Sequence, residues 1–262
     1  MRAAGLFAVL TLLGGTASAQ TGFLDRTVDI EGHVYRYQIY IPVDYTPKSA
    51  WPVVVALHGN GRQGTDGLKQ TGPGFAAYLR DSGQPFPALV VFPQAQPGTR
   101  WLYPEMQALV MAQLRQTIKD FRVDTARVYL QGYSMGGSGA LRLAFHHPTT
   151  FAALVVIAGR VENRADIPAA GLEIDRRANP FLATTDPFAT LATTIKSVPI
   201  WLFHGEADST VEVAQSQRLA AALQRVGAQF HYTEYAGVDH LGVSGKAYAE
   251  TALFKWLFAQ HR

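Results

Sequence analysis

From residue 27 to 41 the chain alternates. Tyr35, Tyr37, Ile39 and Ile41 fall on one side of an extended segment, Arg36, Gln38 and Tyr40 on the other, and Glu31-Gly32 interrupts as a turn. Period-two alternation around a glycine turn predicts an antiparallel hairpin. Beyond it the pattern changes. Residues 52–57 (PVVVAL), 88–92 (ALVVF), 127–130 (RVYL), 151–158 (FAALVVIA), 198–203 (VPIWLF) and 229–235 (QFHYTEY) are short, mostly apolar and β-branched. Near-continuous apolar runs suit strands covered on both faces, as in a parallel sheet. Helices are predicted between them over 73–82, 104–121, 134–147, 211–226 and 244–260. In the last, Ala247, Thr251, Phe254 and Phe258 recur at helical spacing beside Lys246, Glu250 and Lys255.

Strands alternating with helices imply βαβ units, hence an α/β fold with a doubly wound, mostly parallel sheet that begins with an antiparallel hairpin. Residues 159–196 break the rhythm with Asn163, Pro168, Gly171, Asn179, Pro180 and Pro187. This stretch is expected to be a lid-like insertion over the sheet's carboxyl edge, where open α/β sheets bind ligands; an irregular surface excursion is the alternative. Internal repeats and low-complexity segments are absent from the sequence.

At 262 residues, 48% of them hydrophobic, the chain can bury a large core without a disulfide or a metal. A net charge of +3 with no basic run argues against a nucleic-acid partner. The first residues change the picture more. Arg2 precedes an uncharged apolar stretch from Ala3 to Gly15, and Ala17-Ser18-Ala19 forms a small-x-small cleavage pattern. That stretch is too short for a bilayer anchor, which needs about 20 residues. Residues 1–19 therefore read as a signal peptide, and 20–262 as one domain of a secreted or periplasmic protein. With no cysteine in the chain, stability outside the cell must come from the core.

The sharpest chemical signal is Gly132-Tyr133-Ser134-Met135-Gly136, set directly after a predicted strand and before a predicted helix. A serine held on so tight a turn projects its hydroxyl clear of the backbone, and the residues two before and two after it must be small. Ser134 is the expected nucleophile. Ser138, in a near-match with no strand before it, is not. A serine needs a base, and the base needs a carboxylate. Both follow in the order that such elbows require, acid then histidine, on loops after later strands. Asp208 lies in the turn after 198–203, with Glu206 as the alternative acid, and His240 lies in the loop after 229–235. His204 should bond to backbone, His146 and His147 end the nucleophile helix, and His33, His231 and His261 fall on strand or surface positions.

The oxyanion formed by acyl attack needs waiting donors. The Met135 N–H is one. The Asn60 N–H, in the His58-Gly59-Asn60-Gly61 loop after 52–57, is assigned as the other, with His58 pinning that loop from beneath. The same loop spells Gly59-x-Gly61-x-x-Gly64, but the acid at the dinucleotide-binding offset, Asp81, precedes a strand instead of closing one. No cofactor is expected. No histidine spacing resembles a zinc site, so no metal is expected either.

LHGNG, VYLQGYSMGGSGA, PIWLFHGEADSTV and GVDH together resemble extracellular esterases of the α/β-hydrolase superfamily. The pattern is similar to polyhydroxybutyrate depolymerases, feruloyl-esterase-like enzymes and predicted prolyl-oligopeptidase-like peptidases. It covers about residues 27–260, and the missing cysteines depart from many members of the first two groups. The resemblance implies an α/β-hydrolase fold, and an aromatic beside the substrate after residues 88–92, a place Trp101 occupies. Tyr133 beside the serine is a second candidate substrate contact; ordinary packing is the alternative for both. Three functions remain open. One is hydrolysis of a small-molecule or polysaccharide-linked carboxylic ester through an acyl-enzyme, the second is peptide hydrolysis by the same triad, and the third is a catalytically silent binding protein. Oligomeric state is not legible.

Overall fold

The computed structural model describes residues 20–162 and 169–262. The proposed signal peptide and residues 163–168 of the insertion lie outside them. The hairpin is present and longer than predicted, with β1 (Gly22–Ile30) paired along its whole length with β2 (His33–Ile41). Its turn residues, Glu31 and Gly32, both have positive φ, 52° and 83°. That is the turn whose twist matches the flanking strands of a two-residue hairpin.

The remaining strands are β3 (Trp51–Leu57), β4 (Leu89–Phe92), β5 (Val123–Tyr133), β6 (Ala153–Ile157), β7 (Ile200–Gly205) and β8 (Phe230–Tyr235). They form one eight-stranded sheet in the order β1-β2-β4-β3-β5-β6-β7-β8. β1–β2 and β2–β4 pair antiparallel and every later pair is parallel. The register between β3 and β5 shifts at Pro52, between Trp51 and Val53, where proline has no N–H for the ladder. This is the α/β-hydrolase arrangement, with the antiparallel pair at one edge.

The helices are α1 (Phe75–Asp81), α2 (Pro104–Asp120), α3 (Met135–His146), α4 (Ala169–Ala178), α5 (Pro187–Ile195), α6 (Ala214–Arg225), α7 (Gly242–Tyr248) and α8 (Leu253–Phe258). Alternate residues of one strand serve opposite cores. Val53, Val55 and Leu57 pack under α2, α3, α5 and α6, whereas Val54 and Ala56 pack under α1, α7 and α8. Two corrections follow. The helix predicted over 244–260 is two short helices, because the chain turns at Ala249 and Glu250 between them. The described part of the insertion is helical rather than irregular. α5 packs against α3 and α6, and Arg142 of α3 forms a fully buried ion pair with Asp175 of α4 at 2.7 Å.

Candidate active site

Ser134 sits between β5 and α3 with φ 57° and ψ −117°, a backbone conformation hostile to a residue with a Cβ. Its surroundings over-determine it. The Ser134 N–H donates to the Ile157 carbonyl at 2.8 Å. A Cβ on Gly132 would lie 2.1 Å from the Gly136 carbonyl oxygen, and one on Gly136 would lie 2.1 Å from that of Leu57. The small residues predicted around the serine are thus required by backbone, which cannot move aside. Ser138 is structural: its hydroxyl donates to the Ser134 carbonyl at 3.3 Å and accepts from the Arg160 N–H at 3.0 Å.

The three distant segments converge. His240 Nε2 lies 2.8 Å from Ser134 Oγ, and His240 Nδ1 lies 2.6 Å from Asp208 Oδ2. Gly205, at the end of β7, makes this meeting possible, since a Cβ there would fall 2.2 Å from the Val238 carbonyl of the histidine loop. Asp208 is held from both ends. The Thr210 and Val211 N–H groups donate to Oδ1 at 2.8 Å each, which leaves Oδ2 for His240. The alternative acid, Glu206, instead accepts the Gly237 N–H at 3.0 Å and braces the histidine loop.

His204 proves more than a backbone contact. Its Nε2 faces two acceptors, the Val211 carbonyl at 2.9 Å and Asp208 Oδ2 at 3.3 Å, so that nitrogen carries the proton. Its Nδ1 accepts from the Ser216 hydroxyl at 2.7 Å. Burial lowers the His204 pKa, keeping the ring neutral beside the acid. Tyr133 donates its hydroxyl to the His240 carbonyl at 2.7 Å, and burial pushes its pKa up to about 12, so it remains a phenol. It fixes the histidine loop as well as lining the site.

The loop expected to receive the oxyanion is pinned by His58, as the sequence suggested. His58 Nε2 accepts the Ala95 N–H at 3.1 Å, so its proton sits on Nδ1, which donates to the Gly59 carbonyl at 2.7 Å. Burial lowers its pKa to about 4. Neither the Asn60 N–H nor the Met135 N–H has a hydrogen-bond partner among the described residues, and Met135, first in α3, has no intrahelical acceptor available. Both remain free to donate.

A cavity of about 440 Å³ opens at Ser134 and His240. It runs between one sheet face and the helices α1 and α7, with Asn60, Arg62 and Leu241 at the mouth and Gln70, Phe75, Phe92, Gln131, Tyr133 and Tyr248 among its walls. The expectation for Trp101 is corrected. It is fully buried on the opposite face, its Nε1 donates to the His58 carbonyl at 2.9 Å, and it does not line this cavity. Gly139 of α3 leaves the room it fills, since a Cβ there would lie 2.3 Å from Trp101 Cβ. None of the described residues between 159 and 196 lines the cavity either. Sequence reasoning missed Gln70, Gln131 and Tyr248. One signal was available for Gln131, a polar residue in an apolar strand two positions before Tyr133 and so on the same face. Among the described residues, no group of three or more His, Asp or Glu could hold a metal ion.

Residues 109–261, which carry the serine, the acid and the histidine, match the model of the prolyl oligopeptidase family. The chain belongs to that family. Solved structures similar to this family member include a thermostable esterase, 26% identical with a TM-score of 0.69, the match covering 92% of this chain and 63% of the esterase. A ferulic acid esterase is 18% identical with a TM-score of 0.64, covering 91% of this chain and 97% of that one. Dipeptidyl peptidase 4 of Porphyromonas gingivalis is 17% identical with a TM-score of 0.68, covering 91% of this chain and 35% of the peptidase. This chain therefore spans less than two thirds of the thermostable esterase and of the peptidase, and the likeness to the last two structures is one of fold.

Proposed function

We propose that this protein is a serine hydrolase that cleaves carboxylic esters through an acyl-enzyme on Ser134. The observation that carries the reading is the unbroken relay Ser134 Oγ–His240 Nε2 and His240 Nδ1–Asp208 Oδ2, at 2.8 and 2.6 Å, at the mouth of a cavity. His240 takes the hydroxyl proton as Oγ attacks the ester carbonyl. The Asn60 and Met135 N–H groups receive the oxyanion, and Asp208 stabilises the imidazolium. His240 then protonates the departing alcohol. In the second half it deprotonates water, which attacks the acyl carbonyl and frees Ser134.

The family's name favours peptide hydrolysis as a second reading. Enzymes that cut near a peptide's N-terminus must hold an ammonium group, for which a carboxylate is the natural partner. Among the described residues lining the cavity there is no Asp or Glu, whereas Arg62 stands at its mouth. That charge pattern supports the ester reading. p-Nitrophenyl acetate and butyrate test it beside dipeptidyl and aminoacyl p-nitroanilides. Ester turnover that vanishes in Ser134→Ala is the expected result. Full turnover in that variant, or turnover of the anilides alone, would overturn it.

A further inference from the structure

The loop that carries Asn60 is rich in glycine, with Gly59, Gly61 and Gly64, and Gly61 adopts φ 84°. Before Asn60, His58 Nδ1 holds the Gly59 carbonyl at 2.7 Å; beyond it, the Gly64 N–H donates to the Ala95 carbonyl at 3.0 Å. Glycine gives such a turn its freedom and, with it, an entropic cost of holding one conformation. An oxyanion donor is effective only if it is already in place when the charge develops. The stretch between the two anchors therefore needs a further constraint.

Gln63 supplies one with a single amide. Its Oε1 accepts the Gly61 N–H at 2.8 Å, and its Nε2 donates to Asn60 Oδ1 at 2.9 Å. Nε2 also lies 3.4 Å from the Thr99 carbonyl and 3.7 Å from Met135 Sδ, both acceptors. The amide has one orientation, because a flip would set its NH2 group against the Gly61 N–H and its oxygen against the Thr99 carbonyl. The side chain thus touches Asn60 and Met135, the two residues whose N–H groups are assigned to the oxyanion. It does so without lining the cavity.

We propose that Gln63 is a positioning residue of the oxyanion hole: its amide braces the Asn60 side of the hole against the Met135 side and holds the Asn60 N–H where the oxyanion forms. This rests on the serine-hydrolase reading above and on its assignment of the two donors. The contact to the carbonyl oxygen strengthens as that oxygen gains charge. A displaced donor therefore lowers kcat with little change in ground-state binding. Losing a donor outright costs about 10²–10³ in kcat, and a loop left free to sample other conformations should lose part of that.

Gln63→Met keeps the length and removes both polar atoms. With p-nitrophenyl butyrate, kcat is expected to fall by about tenfold or more while KM stays within about threefold. The inflection of kcat/KM with pH should not move, since Ser134, His240 and Asp208 keep their contacts. Asn60→Ala retains the donor N–H but removes the side chain that Gln63 holds. It should reproduce part of the loss, and the double variant should lose no more than Gln63→Met alone. Gln63→Glu keeps the acceptor for Gly61 but turns an oxygen on Asn60 Oδ1 and the Thr99 carbonyl; it should also lose activity, and it serves if Gln63→Met has a lowered urea midpoint. The rate at which a fluorophosphonate labels Ser134 should fall in parallel, because its phosphoryl oxygen enters the same hole. A Gln63→Met kcat within about twofold of wild type overturns the proposal, as do losses that multiply in the double variant or a shifted pH inflection. Were the wild type to turn over no ester, the ester reading would fail, and the labelling rates would still decide the role of Gln63: equal rates in wild type and Gln63→Met overturn it.

Discussion

Asp208→Asn separates the roles of the two atoms of one carboxylate. Asparagine has one oxygen where aspartate has two. The Thr210 and Val211 N–H groups, both 2.8 Å from Oδ1, hold the amide oxygen on their side. The NH2 group must then occupy the place of Oδ2, where two further donors point at it: His240 Nδ1 at 2.6 Å and His204 Nε2 at 3.3 Å. His240 can escape the clash by moving its proton to Nε2. In that tautomer Nε2 donates to Ser134 Oγ and has no lone pair with which to take the serine proton. His204 has no such escape without losing the Val211 carbonyl. Turning the amide over only transfers the clash to the two backbone N–H groups. The corresponding change in a well-characterised serine protease triad lowers kcat by about 10⁴, which is about 5 kcal/mol of barrier. A loss of that order is expected here, read as kcat for p-nitrophenyl butyrate at neutral pH. Glu206→Gln is the control, since Glu206 contacts the Gly237 N–H and not His240; its loss should stay under about tenfold. Asp208→Asn within tenfold of wild type, or Glu206→Gln falling as far as Asp208→Asn, would refute this assignment of the acid.

Two further perturbations act on the scaffold. Arg142→Met removes the guanidinium facing Asp175 in a site where both side chains have no exposure; a loss of about 3–5 kcal/mol is expected by urea unfolding, with part regained in Arg142→Met/Asp175→Leu. A single variant as stable as wild type would show that the pair does not hold α4 to α3. Acid should loosen the oxyanion loop through His58. Its folded pKa of about 4 lies below the ordinary 6.5, so the unfolded chain binds the proton first. The stabilisation is complete above 6.5, falls as pH drops towards 4, and corresponds over that interval to roughly 3 kcal/mol. His58→Asn, compared with wild type by urea midpoints from neutral pH down to 4, should flatten this slope; parallel slopes would contradict it.

The triad was legible because each of its residues occupies a loop directly after a strand, and strand order fixes where those loops end. Ser134 needed only the spacing of Gly132 and Gly136, which the backbone contacts at 2.1 Å now explain. Elements whose form depends on neighbours were not legible. β1 starts at Gly22 rather than at residue 27 because β2 supplies partners along the whole length. Trp101 looked like a substrate contact from its place after β4, yet it fills the room beside Gly139 on the other face of the sheet. Nothing local to Trp101 reveals that glycine. The cavity was hidden for the same reason. Its walls come from β3, β4, β5, α1 and α7 and meet only in the folded sheet.

The two faces of the sheet thus divide the work. On the face covered by α2, α3, α5 and α6, Trp101, Gly139 and the buried Arg142–Asp175 pair lock the nucleophile helix in place. On the other, α1 and α7 stand off enough to leave the cavity, whose walls include Gln70, Phe75 and Tyr248. Between them, the serine elbow, the His58 loop and the Asp208 turn are tied mainly to backbone. Side chains on α1 and its preceding turn can therefore change without moving the reacting groups, whereas a change at Gly132, Gly136 or Gly205 meets a carbonyl at 2.2 Å or less. The physics that makes the chemistry readable, close backbone contact at a few glycines, leaves the substrate pocket free to vary, and so a motif can name the reaction class here without naming the acyl group.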